Sequence, residues 1–210
     1  MAFVVKNTTS FSLWDLFCPH FCIGCGAIGE LLCGCCKKNI KYVKSNPQGP
    51  KDLWIMAERE GVLAELISIY KYQSTRAAAG ILAELLAEKL PDVKGVTVIP
   101  LPTISRHIRQ RSFDHTKLLA KKLARFKSWQ TEDLLSRVNN TVQVGASAKK
   151  RLIQARSAYI VSGVVDKSAD YLLLDDVWTT GASMLAAKTV LRSAGATKIR
   201  MAVIARSNLE

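Results

Sequence analysis

Residues 171–183 constrain the fold more than any other stretch of this 210-residue chain. They read Tyr-Leu-Leu-Leu-Asp-Asp-Val-Trp-Thr-Thr-Gly-Ala-Ser. The apolar run 171–174 has the unbroken character of a strand buried on both faces. Asp175 and Asp176 come where that strand is expected to end. Thr179, Thr180, Gly181 and Ser183 then open a helix that continues through Met184, Leu185, Val190 and Leu191. Backbone N–H groups and hydroxyls at a helix N-terminus favour a phosphate. Carboxylates a few residues earlier can accept hydrogen bonds from sugar hydroxyls. A ligand carrying both a phosphate and a ribose satisfies both halves. A strand-turn-helix with an Asp cap and no ligand is the plainer explanation, but a cap needs neither two acids nor Thr-Thr-Gly.

The pattern extends along the chain after Pro50. Leu63, Leu66, Ile67 and Tyr70 recur at helical spacing over 61–70, and Ile81, Leu82, Leu85 and Leu86 do so over 77–90, before Pro91. Residues 96–99 read as a β-branched strand ended by Pro100. Residues 113–126 read as a basic amphipathic helix with Leu118, Leu119, Leu123 and Phe126 inside, and 147–155 as a weaker helix. The strand 171–175, a helix over 182–194 stopped by Gly195, and a strand over 199–204 follow. Strands alternating with helices predict a parallel sheet with helices on both faces. Ligands bind such sheets beyond the carboxyl ends of the strands, where the acid pair and the Pro100 turn both fall.

Six cysteines lie between positions 18 and 36. Cys22 and Cys25 form one C-x-x-C knuckle, Cys33 and Cys36 a second, and four thiolates are what a tetrahedral structural Zn²⁺ needs. Gly24, Gly26 and Gly34 suit the tight turns around a metal. Cys35 competes with its neighbours, Cys18 can substitute for Cys22, and reduced core cysteines or an adventitious redox pair are the metal-free alternatives. Two prolines and a glycine make 44–50 the best linker. The expected division is therefore 1–46, an N-terminal segment with the cysteine module, and 51–210, an α/β domain.

The net charge is +13, and residues 101–160 hold thirteen basic against three acidic side chains. Apolar residues at helical spacing interrupt this stretch, so it is not a disordered basic tail. A concentrated positive field captures anions: a pyrophosphate-bearing sugar, nucleic acid, or both. A solvated basic face is the alternative. If the stretch tracks a nucleic-acid backbone, Arg106, Arg109, Arg111, Lys121, Lys122, Lys149, Lys150 and Arg151 mark the path. Phe113 and Trp129 are available for stacking if exposed, and Phe126 suits the core better. No apolar run reaches the roughly 18 residues of a membrane span, and residues 1–17 lack the features of a secretory signal. A cytoplasmic location is expected.

At 171–183 the chain resembles the type I phosphoribosyltransferases, whose phosphoribosyl pyrophosphate (PRPP) motif has this order of aliphatics, two acids and Thr-Thr-Gly. Trp178 stands where an aliphatic residue is commoner. A cysteine ribbon ahead of such a domain resembles the ComF (ComFC or GntX-like) family. Lys71 and Tyr72 match its Lys-Tyr signature, and 98–102, Val-Ile-Pro-Leu-Pro, match its strand end. Arg111 and Phe113 match its Arg-Gly-Phe-Asn-Gln loop, in which Ser112, Asp114 and His115 are departures. Arg137, Gln143 and Arg151 match its basic loop, and Gln154 replaces a common Asn.

The resemblance implies a type I phosphoribosyltransferase-like parallel sheet with flanking helices plus a small N-terminal zinc ribbon. It implies PRPP bound with Mg²⁺, Asp175 and Asp176 as the catalytic acids on the ribose, and Val177, Thr179, Thr180, Gly181, Ala182 and Ser183 around the 5′-phosphate. Lys71, Arg106 and Arg111 are the candidates for the pyrophosphate. The family also implies DNA uptake during natural competence, with single-stranded DNA and competence-machinery proteins as partners. A phosphoribosyltransferase for an unidentified small-molecule or base acceptor, without a DNA role, is the alternative, and a PRPP-sensing regulator a third reading.

Overall fold

The computed structural model describes residues 21–43, 50–72, 76–105, 108–109, 112–138 and 158–207. A short helix α1, Gly34–Lys37, lies in the cysteine module. It is followed by β1 (Leu53–Glu58), α2 (Gly61–Tyr72), α3 (Arg76–Ala87), β2 (Val96–Pro100), α4 (His115–Lys127) and β3 (Gln130–Thr131). Then come β4 (Leu135–Arg137), β5 (Tyr159–Val161), β6 (Asp170–Trp178), α5 (Ala182–Ser193) and β7 (Lys198–Arg206).

Five strands form one sheet in the order β1-β7-β6-β2-β3, and every pairing is parallel. The central strands β6, β7 and β2 are aliphatic because helices cover both faces. Leu172 and Leu174 join Ala202 and Ile204 in one core with Leu63, Leu66 and Ile67 of α2, Leu82 and Leu86 of α3, and Leu119 and Leu123 of α4. Tyr171 and Leu173 join Met201 and Val203 in a second core with Met184, Ala187 and Leu191 of α5. β4 and β5 pair antiparallel in a separate ribbon whose Leu135 and Tyr159 extend that second core.

The cysteine module is not a detached appendage. Cys22, Leu32, Cys36 and Ile40 are buried in the first core. The chain after the module forms an antiparallel bridge from Tyr42 to Ala57 on β1. Lys37 pairs with Glu88 at 2.7 Å and Lys41 with Glu60 at 2.7 Å.

Two sequence expectations change. β6 does not end at the acid pair; it runs on through Asp175 and Asp176 to Trp178, paired with β7 as far as Arg206. Phe126 is not in the core: it is 52 % exposed near the end of α4, whose buried stripe is formed by Leu119, Ala120, Leu123 and Ala124. β1 and the β4–β5 ribbon are additions, since neither carries a periodic signal in the sequence. The helix expected over 147–155 lies outside the described residues. Gly195 does follow α5, with φ +107°, a conformation L side chains rarely adopt.

Candidate functional site

Because side chains alternate along a strand, Asp175 and Asp176 leave β6 on opposite faces. Asp176 follows the parity of Leu172 and Leu174 and turns toward α2 and α4. It is only 4 % exposed. Its Oδ2 lies 2.7 Å from Lys71 Nζ at the end of α2 and 2.9 Å from His115 Nε2 at the start of α4. The two contacts close on the same carboxylate oxygen from two helices, as a clamp. Burial alone would raise the Asp176 carboxyl, but His115 and Lys71 outweigh it and hold the group well below the usual carboxylate range.

The clamp is itself held. The Tyr70 hydroxyl donates to the His115 backbone carbonyl. Asp114 caps α4 by accepting from the Lys117 N–H at 3.2 Å, and the Thr103 hydroxyl donates to the same Asp114 oxygen at 3.1 Å. Thr103 also lies 3.0 Å from the Thr116 hydroxyl, so the turn after β2 is tied to the start of α4. Phe113 sits 5.8 Å from the Tyr70 ring, with the Arg76 guanidinium 5.7 Å from its centroid. Its aromatic face therefore anchors the loop before α4.

Asp175 has the opposite surroundings. Its Oδ1 accepts the Asp176 backbone N–H at 2.9 Å. Burial and then the charge of Asp176 push its carboxyl well above the ordinary value. It lines a cavity of about 150 Å³ with Leu101, Pro102, Thr103, His115, Arg137, Tyr159 and Ser183. Arg137 and Tyr159 reach it from the β4–β5 ribbon, Arg137 Nη1 donating to the Tyr159 hydroxyl at 3.1 Å. Tyr159 carries no signal in the sequence, because alternation along a three-residue strand is too short to show it.

The turn after β6 adjoins that cavity. Asp175, Val177, Trp178, Thr179, Thr180, Gly181, Ala182 and Ser183 line a second recess, so the two share Asp175 and Ser183. Gly181, the N-cap of α5, has φ +73° and no side chain to cap with, while the Thr180 hydroxyl accepts the Ala182 N–H at 3.4 Å. A Cβ at Gly181 would come within 2.1 Å of the Trp178 ring. Glycine is required here on both counts, and the indole of Trp178 lies directly against the turn.

The four cysteines of the doubled knuckle converge. The sulfurs of Cys22, Cys25, Cys33 and Cys36 all lie within 4.8 Å of one another, and those of Cys25 and Cys33 are 3.6 Å apart. A tetrahedral Zn²⁺ with bonds of about 2.3 Å sets its sulfurs about 3.8 Å apart, so the donor set fits. The Cys33 N–H donates to Cys22 Sγ at 3.4 Å and draws that thiol down to about 6. Cys36, hydrogen-bonded to the Cys22 and Cys33 sulfurs, is pushed up to about 12. Four acidic sulfurs crowded together without a cation would disfavour their ionisation in this way. Cys35 is exposed and outside the cluster, and Cys18 lies outside the described residues.

The remaining expected site residues divide. Lys71 is described, and its ammonium is engaged by Asp176. Arg109 and Lys121 are exposed and Lys122 is half-buried. Trp129 is half-buried and its Nε1 donates to the Val93 carbonyl at 2.6 Å. Arg106, Arg111, Lys149, Lys150 and Arg151 lie outside the described residues. No helix among the described residues is long and apolar enough to cross a membrane.

A parallel five-stranded sheet, an acid pair late in its central strand, a Thr-Thr-Gly turn into the next helix and an N-terminal four-cysteine cluster define an α/β protein with a cysteine module, its acid pair and turn in the order expected from the sequence. The chain is similar to Competence protein F from Haemophilus influenzae, at 28% identity over 197 residues, covering 83% of this chain and 84% of that protein. No protein-family model matches the chain. Among solved structures it is similar to the allosteric regulatory enzyme of purine biosynthesis (20% identity, TM-score 0.44), covering 61% of this chain and 25% of that one. It is also similar to an adenine phosphoribosyl transferase from Trypanosoma brucei in complex with AMP, pyrophosphate and ribose-5-phosphate (13% identity, TM-score 0.41), over 66% of this chain and 56% of that one. A purine phosphoribosyltransferase from Pyrococcus horikoshii is similar over 74% of this chain and 78% of its own (15% identity, TM-score 0.34).

Proposed function

We propose that this chain binds PRPP with Mg²⁺ in the cleft between Asp175 and the turn 179–183, and that it serves DNA uptake during natural competence. The observation that carries the reading is the shared boundary of the two recesses. One side offers an acid and the other a helix start behind a glycine N-cap with threonine and serine hydroxyls, a sugar end and a phosphate end. Similarity to Competence protein F supports the competence role.

Transfer from PRPP breaks the bond between ribose C1 and pyrophosphate. Positive charge grows on the sugar and negative charge on the leaving group, so the protein's part is positioning and charge stabilisation. Asp175 would meet the ribose, and Val177 and Thr179 to Ser183 the 5′-phosphate. Arg106 and Arg111 remain the candidates for the pyrophosphate. His115, Asp175 and Asp176 bring three ligand atoms within 4.8 Å, but the Lys71 ammonium already holds Asp176. The residues fit a Mg²⁺ that arrives on the ligand's own phosphate oxygens rather than one caged by protein. Such an ion would neutralise charge developing on the pyrophosphate. A structural Zn²⁺ on Cys22, Cys25, Cys33 and Cys36 would hold the N-terminal module, residues 1–46, against the domain 51–210.

The second reading is transfer to an unidentified small-molecule or base acceptor without a DNA role. The cavity lined by Tyr159, Arg137 and Thr103 beside Asp175 favours it, because it gives a small acceptor room. A titration of PRPP and Mg²⁺ with and without single-stranded DNA separates the readings. Competition is expected if one cleft serves both ligands. PRPP binding without any DNA binding at low salt leaves the small-acceptor reading, and no PRPP binding refutes both.

A further inference from the structure

Residues 101–160 hold four aromatic rings among their basic side chains, and the structure leaves one of them open. Phe113 packs 5.8 Å from the Tyr70 ring, with the Arg76 guanidinium 5.7 Å from its own centroid. Trp129 is held by the bond from its Nε1 to the Val93 carbonyl, with the Lys127 ammonium 5.6 Å from its ring. Tyr159 is 4 % exposed, with the Arg137 guanidinium 5.4 Å from its centroid. Phe126 alone of the four stands clear, 52 % exposed. Its neighbours on α4 are cations. Lys122 lies one turn before it, and Lys121 and Arg125 form the adjoining row. None of these three makes an ion pair among the described residues, whereas Lys117 and Lys127 are taken by Asp133 and Asp92. The second half of α4 therefore presents unpaired cations around a bare ring. A basic face that is merely solvated has no use for that ring, whose exposure to water costs free energy.

We propose that this face of α4 docks single-stranded DNA, one base stacking on Phe126 while flanking phosphates meet Lys121, Lys122 and Arg125. The inference rests on the DNA half of the reading above and gives it a surface. A single strand supplies both an anionic backbone and unpaired base faces, and stacking on an aromatic ring needs no particular base. A duplex keeps its bases stacked on one another, and an acidic peptide would answer the charges but not the ring. The C-terminal end of a helix carries negative partial charge, so the phosphates are met by side chains and not by backbone N–H groups. About 16 Å of helix separates Phe126 from His115, which borders the cavity beside Asp175. The surface is thus separate from the sugar cleft, and a short strand on α4 leaves PRPP its own place.

The test is fluorescence anisotropy on the full chain purified with its metal, using a labelled oligo(dT) as the probe. Phe126→Ala should weaken binding about tenfold, the worth of one stacked base, and leave the log–log salt slope unchanged. Lys121→Gln, Lys122→Gln and Arg125→Gln combined should weaken it and flatten that slope by about 2, at about 0.7 per phosphate contact. Phe126→Trp should restore the affinity, and thermal unfolding of Phe126→Ala should match the wild type, because the ring is already outside the core. Saturating PRPP and Mg²⁺ should leave the dissociation constant for oligo(dT) where it was. Binding that survives Phe126→Ala undiminished, that PRPP displaces, or that falls equally for single strand and duplex in Phe126→Ala would overturn this inference and leave the DNA reading standing. No binding of oligo(dT) by the wild type at low salt would overturn the DNA reading and this one with it, while PRPP titrated alone still reports on the cleft.

Discussion

Replacing Asp175 by Asn should stabilise the fold at alkaline pH while it weakens binding of the proposed ligand. The amide keeps the shape, and its oxygen can still accept the Asp176 N–H. What it removes is an ionisation that the fold resists, since burial and the neighbouring Asp176 raise Asp175 from 3.8 to about 8. A carboxyl raised on folding binds its proton in the native state after the unfolded chain has released it. Stability therefore falls as pH climbs from the ordinary carboxylate value toward 8, and the penalty vanishes below that value, where both states are protonated. Each tenfold change in proton affinity corresponds to about 1.4 kcal/mol; sharing of the charge across the acid pair and solvent at the cleft bring the expected gain at pH 8 to about 2 kcal/mol. Urea denaturation of wild type and Asp175→Asn at pH 8 and pH 5 measures it. The variant should be the more stable at pH 8, and the gap should narrow at pH 5. Asp176 does not blur the comparison: its carboxyl is depressed, so the stability it contributes is present across this window and lost only in strong acid. Equal stability at pH 8, or a gap that does not shrink on acidification, would refute the reasoning.

Gly181→Ala should cost about 2–4 kcal/mol, from a left-handed backbone and a collision with the indole; adding Trp178→Leu should recover only the collision, as a denaturation double-mutant cycle would show. Elemental analysis of protein purified without chelator should give one zinc per chain, and Gly24→Ala, whose new Cβ would lie 2.7 Å from Cys36 Sγ, should lower that content. Single-stranded DNA should bind with little sequence preference and a log–log salt slope of about −0.7 per phosphate contact; anisotropy titrations of Lys149→Glu, Lys150→Glu and Arg151→Glu combined should show weaker binding and a flatter slope, and an unchanged slope would remove those residues from the path.

The layered fold is legible in the sequence because its central parts carry strong local signals. An aliphatic run such as 171–174 is scarcely compatible with anything but a covered strand, and Leu63, Leu66 and Ile67 mark a helix face without ambiguity. The doubled C-x-x-C spacing likewise picks out the four sulfurs that converge. What escapes is set by tertiary contact. β1 is a short run whose buried Leu53, Ile55, Met56 and Ala57 show no simple period. The β4–β5 ribbon pairs three residues with three across a separation of more than twenty positions, too little pattern to detect. The unequal acids escape for a related reason. Two adjacent aspartates look identical in a sequence, and only the parity of the strand and the arrival of Lys71 and His115 from distant helices make one a strut. Spacing alone puts Phe126 in the core, but the covered side of α4 ends on Lys127, whose ammonium reaches the Ala87 and Leu90 carbonyls, and Phe126 is left on the outer side.

Helix α2 joins the two ends of the molecule that carry chemistry. Near its start, Val62 lies beside Gly24 and Cys36, since a Cβ at Gly24 would be 3.2 Å from Val62 Cγ2 and 2.7 Å from Cys36 Sγ. At its end, Tyr70 holds the His115 carbonyl and Lys71 holds Asp176. Twelve helical residues span about 18 Å, and they have no internal soft joint. Leu63, Leu66 and Ile67 between the ends are essentially inaccessible, so the rod is seated on the sheet along its length. The seating fixes its tilt, while the cysteine cluster at one end and the Asp176 clamp at the other fix its axial position. Close packing transmits such displacements rather than absorbing them. The cysteine module and the Asp176 clamp are thus joined by one buried helix, with Val62 at the module and Lys71 at the acid.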